Sequence, residues 1–325
     1  MKWDARRGVP ARGDYMRTAR ALLMVTALLV TTACSTSRDS TASGSTGNWP
    51  QKIVFAATPS GEARTFNDDF GPFVKALSDE VGIRVETFQA ADYAGVIEGM
   101  IAGTVDVAQL GAFSYALAVQ NGAKIEPDGV RIHTKGDQLG YVIYGLAAAG
   151  SPISSLGDFR GKTVCFPDPA STTTLIPMFE FDKAGLKVDK DFTRLTIPTG
   201  ATIPRTVRRG DCAVGLASQA QWETAIRQGD IKQNDLKVVW QVRAPGSPLA
   251  TRSQLPQDLR DKIRTVVNRL NAEYLEQKGY CSGVKCLISA SGDFGYLPVD
   301  HSYFQVIWDA CKTTHVDSCG SIGGG

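Results

Sequence analysis

The segment "KTVCFPDPASTTTLIPMFEFDKAGL", Lys162–Leu186, decides how this chain is read. Its first part, "KTVCFP", is a short β-branched and apolar run that stops at a proline-rich turn, as a buried strand does. Its last part, "TTTLIPMFEFDKAGL", reads as a helix closed by Gly185. Between them stand Ser171, Thr172, Thr173 and Thr174. A strand that passes through a turn into a helix is the repeating unit of an α/β protein. The start of such a helix presents unpaired N–H groups and the positive end of its dipole. Hydroxyls placed there either cap the helix or add donors to an anion site.

The same unit recurs outward from this segment. Upstream, "KIVFAATP" reads as a strand, "DDFGPFVKALSDEVG" as an amphipathic helix closed by Gly82, and "IRVETFQA" as a strand. Asp92 caps the helix "DYAGVIEGMIAGT"; the strand "VDVAQLG" and the helix "AFSYALAVQNG" follow. This βαβαβα order predicts a parallel sheet with helices on its faces. A long strand, "GYVIYGLAAAG", leads into a second alternating set that includes Lys162–Leu186 and ends in "LKVVWQVRAPGSP". Beyond it, "PQDLRDKIRTVVNRLNAEYLEQKG" reads as one long helix and "VDHSYFQVIWDACKT" as another. The chain thus passes between two α/β units twice, near Tyr144–Pro152 and Leu236–Pro245. The expected architecture is a two-lobe clamp, each lobe a mostly parallel sheet flanked by helices. Residues 50–147 with 238–325 form lobe 1, residues 148–237 form lobe 2, and a small ligand is held between them by hinge closure.

In open parallel sheets a ligand sits beyond the carboxyl ends of the strands. Here those places are "TPSGE", "ADYAG", "LGAFSY" and "PDPASTTT", and hydroxyls recur at each: Thr58, Ser60, Tyr93, Ser114, Tyr115, Ser171, Thr172 and Thr173. Any one of them needs no more explanation than a helix cap. Four junctions together predict a nest of donors without formal charge, suited to a small oxyanion.

Residues 1–33 read as an export signal: Arg17 and Arg20 precede the apolar run Ala21–Val30, which is too short to span a bilayer comfortably. "TTACS" then resembles a bacterial lipobox ending at Cys34, with Thr31 where that pattern prefers leucine, so Cys34 is the expected lipidation site. Met16 would serve as a start as well as Met1. Residues 34–49 are rich in Ser, Thr and Gly, as in a flexible tether between a membrane anchor and a folded body. Without Cys34, six cysteines remain: Cys165, Cys212, Cys281, Cys286, Cys311 and Cys319. An even number in an exported chain points to disulfides. Cys165 is expected to pair with Cys212, because both lie in predicted strands of one region, and the other four among themselves.

Composition excludes several functions. Of 325 residues, 43% are apolar and 21% charged; the net charge is +2, but residues 1–33 hold six basic and two acidic side chains, so the remainder is slightly acidic. Nothing there attracts nucleic acid. The cysteine spacings do not suit zinc, and only His315 lies near them. No G-x-S-x-G elbow and no P-loop occurs; "GKT", Gly161–Thr163, opens a strand. The chain is expected to be no enzyme and to need no cofactor and no metal.

Three segments carry a family resemblance: "ADYAGVIEGMIAGTVDVAQLGAFSYALA" (Ala91–Ala118), "GYVIYGL" (Gly140–Leu146) and "SPISSLGDFRGKTVCFPDPASTTTLIP" (Ser151–Pro177). Their order and spacing resemble the phosphate/phosphite/phosphonate-binding proteins of ABC importers, in the type II periplasmic-binding fold. The resemblance spans most of residues 50–275 and implies an exported, monomeric receptor that delivers a phosphorus oxyanion to a permease and an ATPase. It implies that Ser171, Thr172 and Thr173 grip the ligand, that Tyr93 and Tyr141 close over it, and that Ser114 and Tyr115 stand at the third junction. The chain departs from the pattern in three places. It lacks a histidine in Pro198–Val207, it has Ala213 where an aspartate is common, and it has Thr174 in place of glycine. No carboxylate is evident for an ammonium substituent, so a phosphonate, phosphite, phosphate or phosphate ester is expected rather than an aminoalkyl phosphonate. Gln219, Gln221 and Trp222 are candidates to face the substituent, with Trp222 at a spacing that also suits a core. The alternatives are a receptor that feeds signalling, and a receptor for another oxyanion or a neutral, thiamine-pyrimidine-like ligand.

Overall fold

In the computed structural model, residues 48–58, 66–283, 286, 288–289, 293–314 and 319–320 are described. Ser60, Cys34, the export signal and nearly all of the tether lie outside them. The first half of the chain alternates as its pattern predicts: β1 (Lys52–Ala57), α1 (Phe66–Val81), β2 (Arg84–Phe88), α2 (Tyr93–Ala102), β3 (Val107–Gln109), α3 (Ala112–Gln120). Then come β4 (Ile125–Ile132), which the sequence reading did not identify, and β5 (Tyr141–Ala148). The second set is β6 (Thr163–Phe166), α4 (Thr172–Lys183), β7 (Thr193–Thr196), α5 (Ile203–Arg209), β8 (Val214–Ser218), α6 (Gln219–Arg227) and β9 (Leu236–Ala244). The chain closes with β10 (Pro248–Arg252), α7 (Gln257–Val267), α8 (Ala272–Gln277), β11 (Gly295–Leu297) and α9 (Gln305–Thr313).

Two sheets result, and the described residues form one compact unit. The first has the order β11-β4-β10-β3-β1-β2 and the second β7-β6-β8-β5-β9. The two-lobe α/β arrangement is the expected one, but the strand directions are mixed. In the first sheet β1 pairs in parallel with β2 and β3, while β10 and β4 join antiparallel. In the second, β6 is parallel to β7 and β8, while β5 is antiparallel to both β8 and β9. Strands that arrive from the other lobe, or return toward it, need no helical crossover and can therefore run antiparallel.

The lobe borders also move. Tyr141 pairs with Ala244 and Ala148 with Leu236, so β5 and β9 belong wholly to the second sheet. The crossings fall between Ile132 and Tyr141 and between Ala244 and Pro248, not at residues 147 and 238. Burial does not separate the two assignments, because a strand entering a lobe and one leaving it are equally apolar. Only the pairing partner decides. The long helix expected after Pro256 is likewise two helices: Asn271 caps α8 by accepting from Tyr274 N, and its backbone bridges to Gly295.

An apolar cluster runs through both lobes, from Ile97 and Phe113 through Phe304 and Ile307 to Ile176 and Phe181. Helix α9 packs against both α3 and α4. The six cysteines stand in three pairs at disulfide distance: Cys165 with Cys212 (Cα–Cα 5.8 Å), Cys281 with Cys286 (5.1 Å) and Cys311 with Cys319 (5.3 Å). The first pair is the expected one, although Cys212 precedes β8 rather than lying in it.

Candidate ligand site between the lobes

A cavity of about 110 Å³ lies where the two sheets face each other. Its walls come largely from the starts of four helices: Tyr93 of α2, Gly111 before α3, Ser171, Thr172 and Thr173 at α4, and Ser218, Ala220 and Gln221 at α6. Each helix start adds partial positive charge to the same small volume. Thr58, at the end of β1, completes this wall.

Local sequence explains why α4 begins where it does. Ser171 is its N-cap and accepts from Thr173 N at 3.2 Å. The Thr174 hydroxyl donates to the carbonyls of Asp168 (2.9 Å) and Pro167 (3.2 Å), which ties the turn down and takes Thr174 out of the cavity wall. The Thr172 hydroxyl accepts from Phe113 N at 2.9 Å, a bond from α3 in one lobe to α4 in the other. A Cβ at Gly111 would stand 3.2 Å from that same Oγ1, so the close approach of the two helix starts calls for glycine. Thr172 thus receives a proton from the backbone and keeps its own to donate.

Tyr93 and Tyr141 both line the cavity beside the hydroxyl run, Tyr141 from the second sheet. Tyr141 Oη is 3.1 Å from Thr173 Oγ1. Burial pushes its phenol up to about 12, with the hydrogen bond to Thr173 acting against that rise. Tyr93 also has a raised pKa, from burial first, and its hydroxyl meets Ser171 across the lobe boundary and Thr58 in its own lobe. Both phenols are therefore neutral donors at any ordinary pH.

Two expected residues do not reach the cavity. Ser114 is fully buried, and its hydroxyl is occupied by Gly111, accepting from its N (2.9 Å) and donating to its carbonyl (3.0 Å). Tyr115 points into the core behind the site, where its ring meets Phe304 (centroids 4.6 Å apart) and its hydroxyl stands 3.0 Å from His301 Nδ1. At this junction the half-buried Gly111 is the residue that lines the cavity. Among the substituent candidates, Gln221 lines the cavity; Gln219 bonds Glu223 at 2.8 Å, and Trp222 packs edge-on against Tyr144 at 5.6 Å.

Sequence reasoning missed a charged wall. Arg131, His133, Asp293 and Ser247 also line the cavity. Arg131 Nη1 is 2.6 Å from Asp293 Oδ2 and 3.0 Å from Ser289 Oγ, while its Nε, though buried, has no hydrogen-bond partner. His133 Nε2 meets Glu223 Oε2 at 3.0 Å, which links β4's end to α6 across the cleft. The donors are therefore not all uncharged, and a carboxylate does stand in the wall, already engaged by arginine. The signal was present in "GVRIH", Gly129–His133: alternate residues of an extended chain share a face, and Arg131, in β4, and His133, just past its end, are two polar side chains two residues apart.

Comparison with known proteins shows the family. Residues 55–290 match the family model for the phosphonate ABC transporter periplasmic substrate-binding protein. The phosphate-import protein PhnD of Mycolicibacterium smegmatis is 35% identical over 303 residues, covering 90% of this chain and 94% of that one. A binding-protein component of an ABC phosphonate transporter from Pseudomonas aeruginosa superposes with a TM-score of 0.70 at 24% identity, over 85% of this chain and 91% of the other. PhnD1 of Prochlorococcus marinus, solved in complex with methylphosphonate, superposes with a TM-score of 0.67 at 15% identity, over 81% and 97%. The chain belongs to the family of periplasmic substrate-binding proteins of phosphonate ABC transporters.

Proposed function

We propose that the cavity binds a small phosphorus oxyanion, inorganic phosphate or a phosphonate with a short substituent, for import. The protein is an exported binding component and not an enzyme. The observation that supports the ligand class is the meeting of four helix starts with the hydroxyls of Ser171, Thr172, Thr173, Tyr93, Tyr141 and Thr58 on one volume. Hydroxyls and helix N–H groups replace an anion's hydration shell, and Arg131 supplies the formal positive charge. One water needs ~10–15 Å³ by the same measure, so about 110 Å³ admits phosphate with a small substituent. The printed name of the Mycolicibacterium relative, a phosphate-import protein, favours phosphate as the first ligand to try.

In this reading the anion docks on α4 and the lobes close over it. The Phe113–Thr172 and His133–Glu223 bonds are made on closure. The permease and ATPase then receive the ligand; the family is one of importers, so the signalling alternative is set aside. The body is a monomer held at the outer face of the membrane by a lipid on Cys34, and its three cysteine pairs are oxidised, as export permits. Isothermal titration with phosphate, phosphite, methylphosphonate and glycerol phosphate tests the ligand class: micromolar or tighter binding of at least one supports it, and heat from none of them defeats it. Intact mass of the membrane-extracted protein tests the lipid on Cys34.

A further inference from the structure

Arg131, near the end of β4, and His133, just past it, wall the cavity, and each has a buried nitrogen without a partner: Arg131 Nε and His133 Nδ1. The second nitrogen's ring has a partner across the cleft. Glu223 uses Oε1 to accept from Gln219 Nε2 (2.8 Å) and offers Oε2 to His133 Nε2 (3.0 Å). A carboxylate can only accept, so Nε2 carries the imidazole proton. When the ring is neutral that is its one N–H, and Nδ1 is then a bare acceptor.

We infer that His133 is a specificity-determining residue that accepts a hydrogen bond from an O–H of the bound anion, and that Glu223 is a positioning residue that fixes the His133 tautomer when the lobes meet. This rests on the oxyanion reading above and adds to it. The hydroxyl wall and Arg131 Nε read unprotonated oxygens. His133 Nδ1 reads one protonated oxygen, so the ligand presents both kinds at once. Hydrogen phosphate does so. An anion of the same shape with acceptors alone sets a lone pair against Nδ1 and leaves it unpaired, and a buried polar group left unpaired is what gives a site strong discrimination. The inter-lobe position of the pair couples this reading to closure, because an open cleft separates His133 from Glu223 and releases the tautomer.

The test compares hydrogen phosphate with sulfate at about pH 8, where both are dianions and only phosphate keeps a proton. The parent protein should favour phosphate by about a hundredfold or more. In Glu223→Gln, Gln219 still donates to the amide oxygen, which turns the amide NH2 toward His133. Nε2 then accepts, the proton moves to Nδ1, and the wall becomes a donor. Sulfate affinity should rise and phosphate affinity fall, so the ratio drops by at least about tenfold. His133→Phe should lower the ratio through phosphate alone. Thr172→Val, on the opposite wall, should weaken both anions and leave the ratio within about threefold of the parent. A parent that binds phosphate and sulfate equally overturns the inference and leaves the oxyanion site standing. An unchanged ratio in Glu223→Gln, with melting temperature and phosphate binding retained, overturns the tautomer argument. Binding of neither anion by the folded parent overturns the inference together with phosphate as the ligand.

Discussion

Replacing Thr172 with valine removes one oxygen and keeps the shape of the side chain. That oxygen has two jobs in the proposed complex. It accepts from Phe113 N, a buried first-turn N–H of α3 in the opposite lobe, at 2.9 Å. It also donates its proton to the anion. Loss of a hydrogen bond to a charged oxygen costs about 1.5–3 kcal/mol. A buried N–H left without a partner costs about 1–3 kcal/mol more. The second cost arises only when the lobes are together, since an open cleft gives Phe113 N to water. Both costs therefore fall on binding and hardly on folding. The sum, about 2.5–6 kcal/mol, is a loss of about two to four orders of magnitude in affinity. Titration calorimetry against inorganic phosphate reads this directly. Melting of the ligand-free variant should shift by only a few degrees, at ~2–4 °C per kcal/mol for a domain of this scale. Affinity within about threefold of the parent, in a variant that melts normally, would refute both the grip and the closing bond.

Three further outcomes follow from other parts of the molecule. Gly140 lies on the crossing into β5 with φ +95°, and a Cβ there would come within 2.5 Å of Ala244 O, so Gly140→Ala should destabilise the hinge by about 1–3 kcal/mol and weaken binding, as denaturant melts and titration will show. Asp128 is buried, accepts from Thr251 at 2.6 Å and is pushed up to about 7 by burial, against ~3.9 in the unfolded chain. The folded state holds a proton that the unfolded chain releases, so this contribution is full below about pH 4 and is lost as pH rises through about 7; Asp128→Asn should flatten the melting temperature over that window. Cys165 and Cys212 are 47 residues apart, so Cys165→Ala with Cys212→Ala should cost about 2–4 kcal/mol in urea unfolding.

How much of this was legible beforehand depends on the range of each interaction. A helix cap acts over three residues, and the starts of α2, α4 and α6 can be placed from Asp92, Ser171 and Ser218 with their neighbours. Ser114 shows the limit: the same hydroxyl signal marked a residue whose bonds all return to Gly111. Whether a junction residue faces ligand or core depends on what packs behind the helix, and Phe304 and His301, which hold Tyr115, are nearly two hundred residues away in sequence. Asp293 could not be tied to the site at all, since only the pairing of β11 with β4 brings its segment beside Arg131.

The amino-acid sequence alone determined the α/β class, the hydroxyl-rich helix start at Ser171–Thr173 and the family resemblance, because each is written in neighbouring residues or in the order of motifs along the chain. The tertiary structure alone decided where the lobes divide, which hydroxyls share a cavity, and that Arg131 and His133 stand opposite them. Strand pairing and side-chain burial are contacts between distant segments, and no local pattern encodes which distant segment will be the partner.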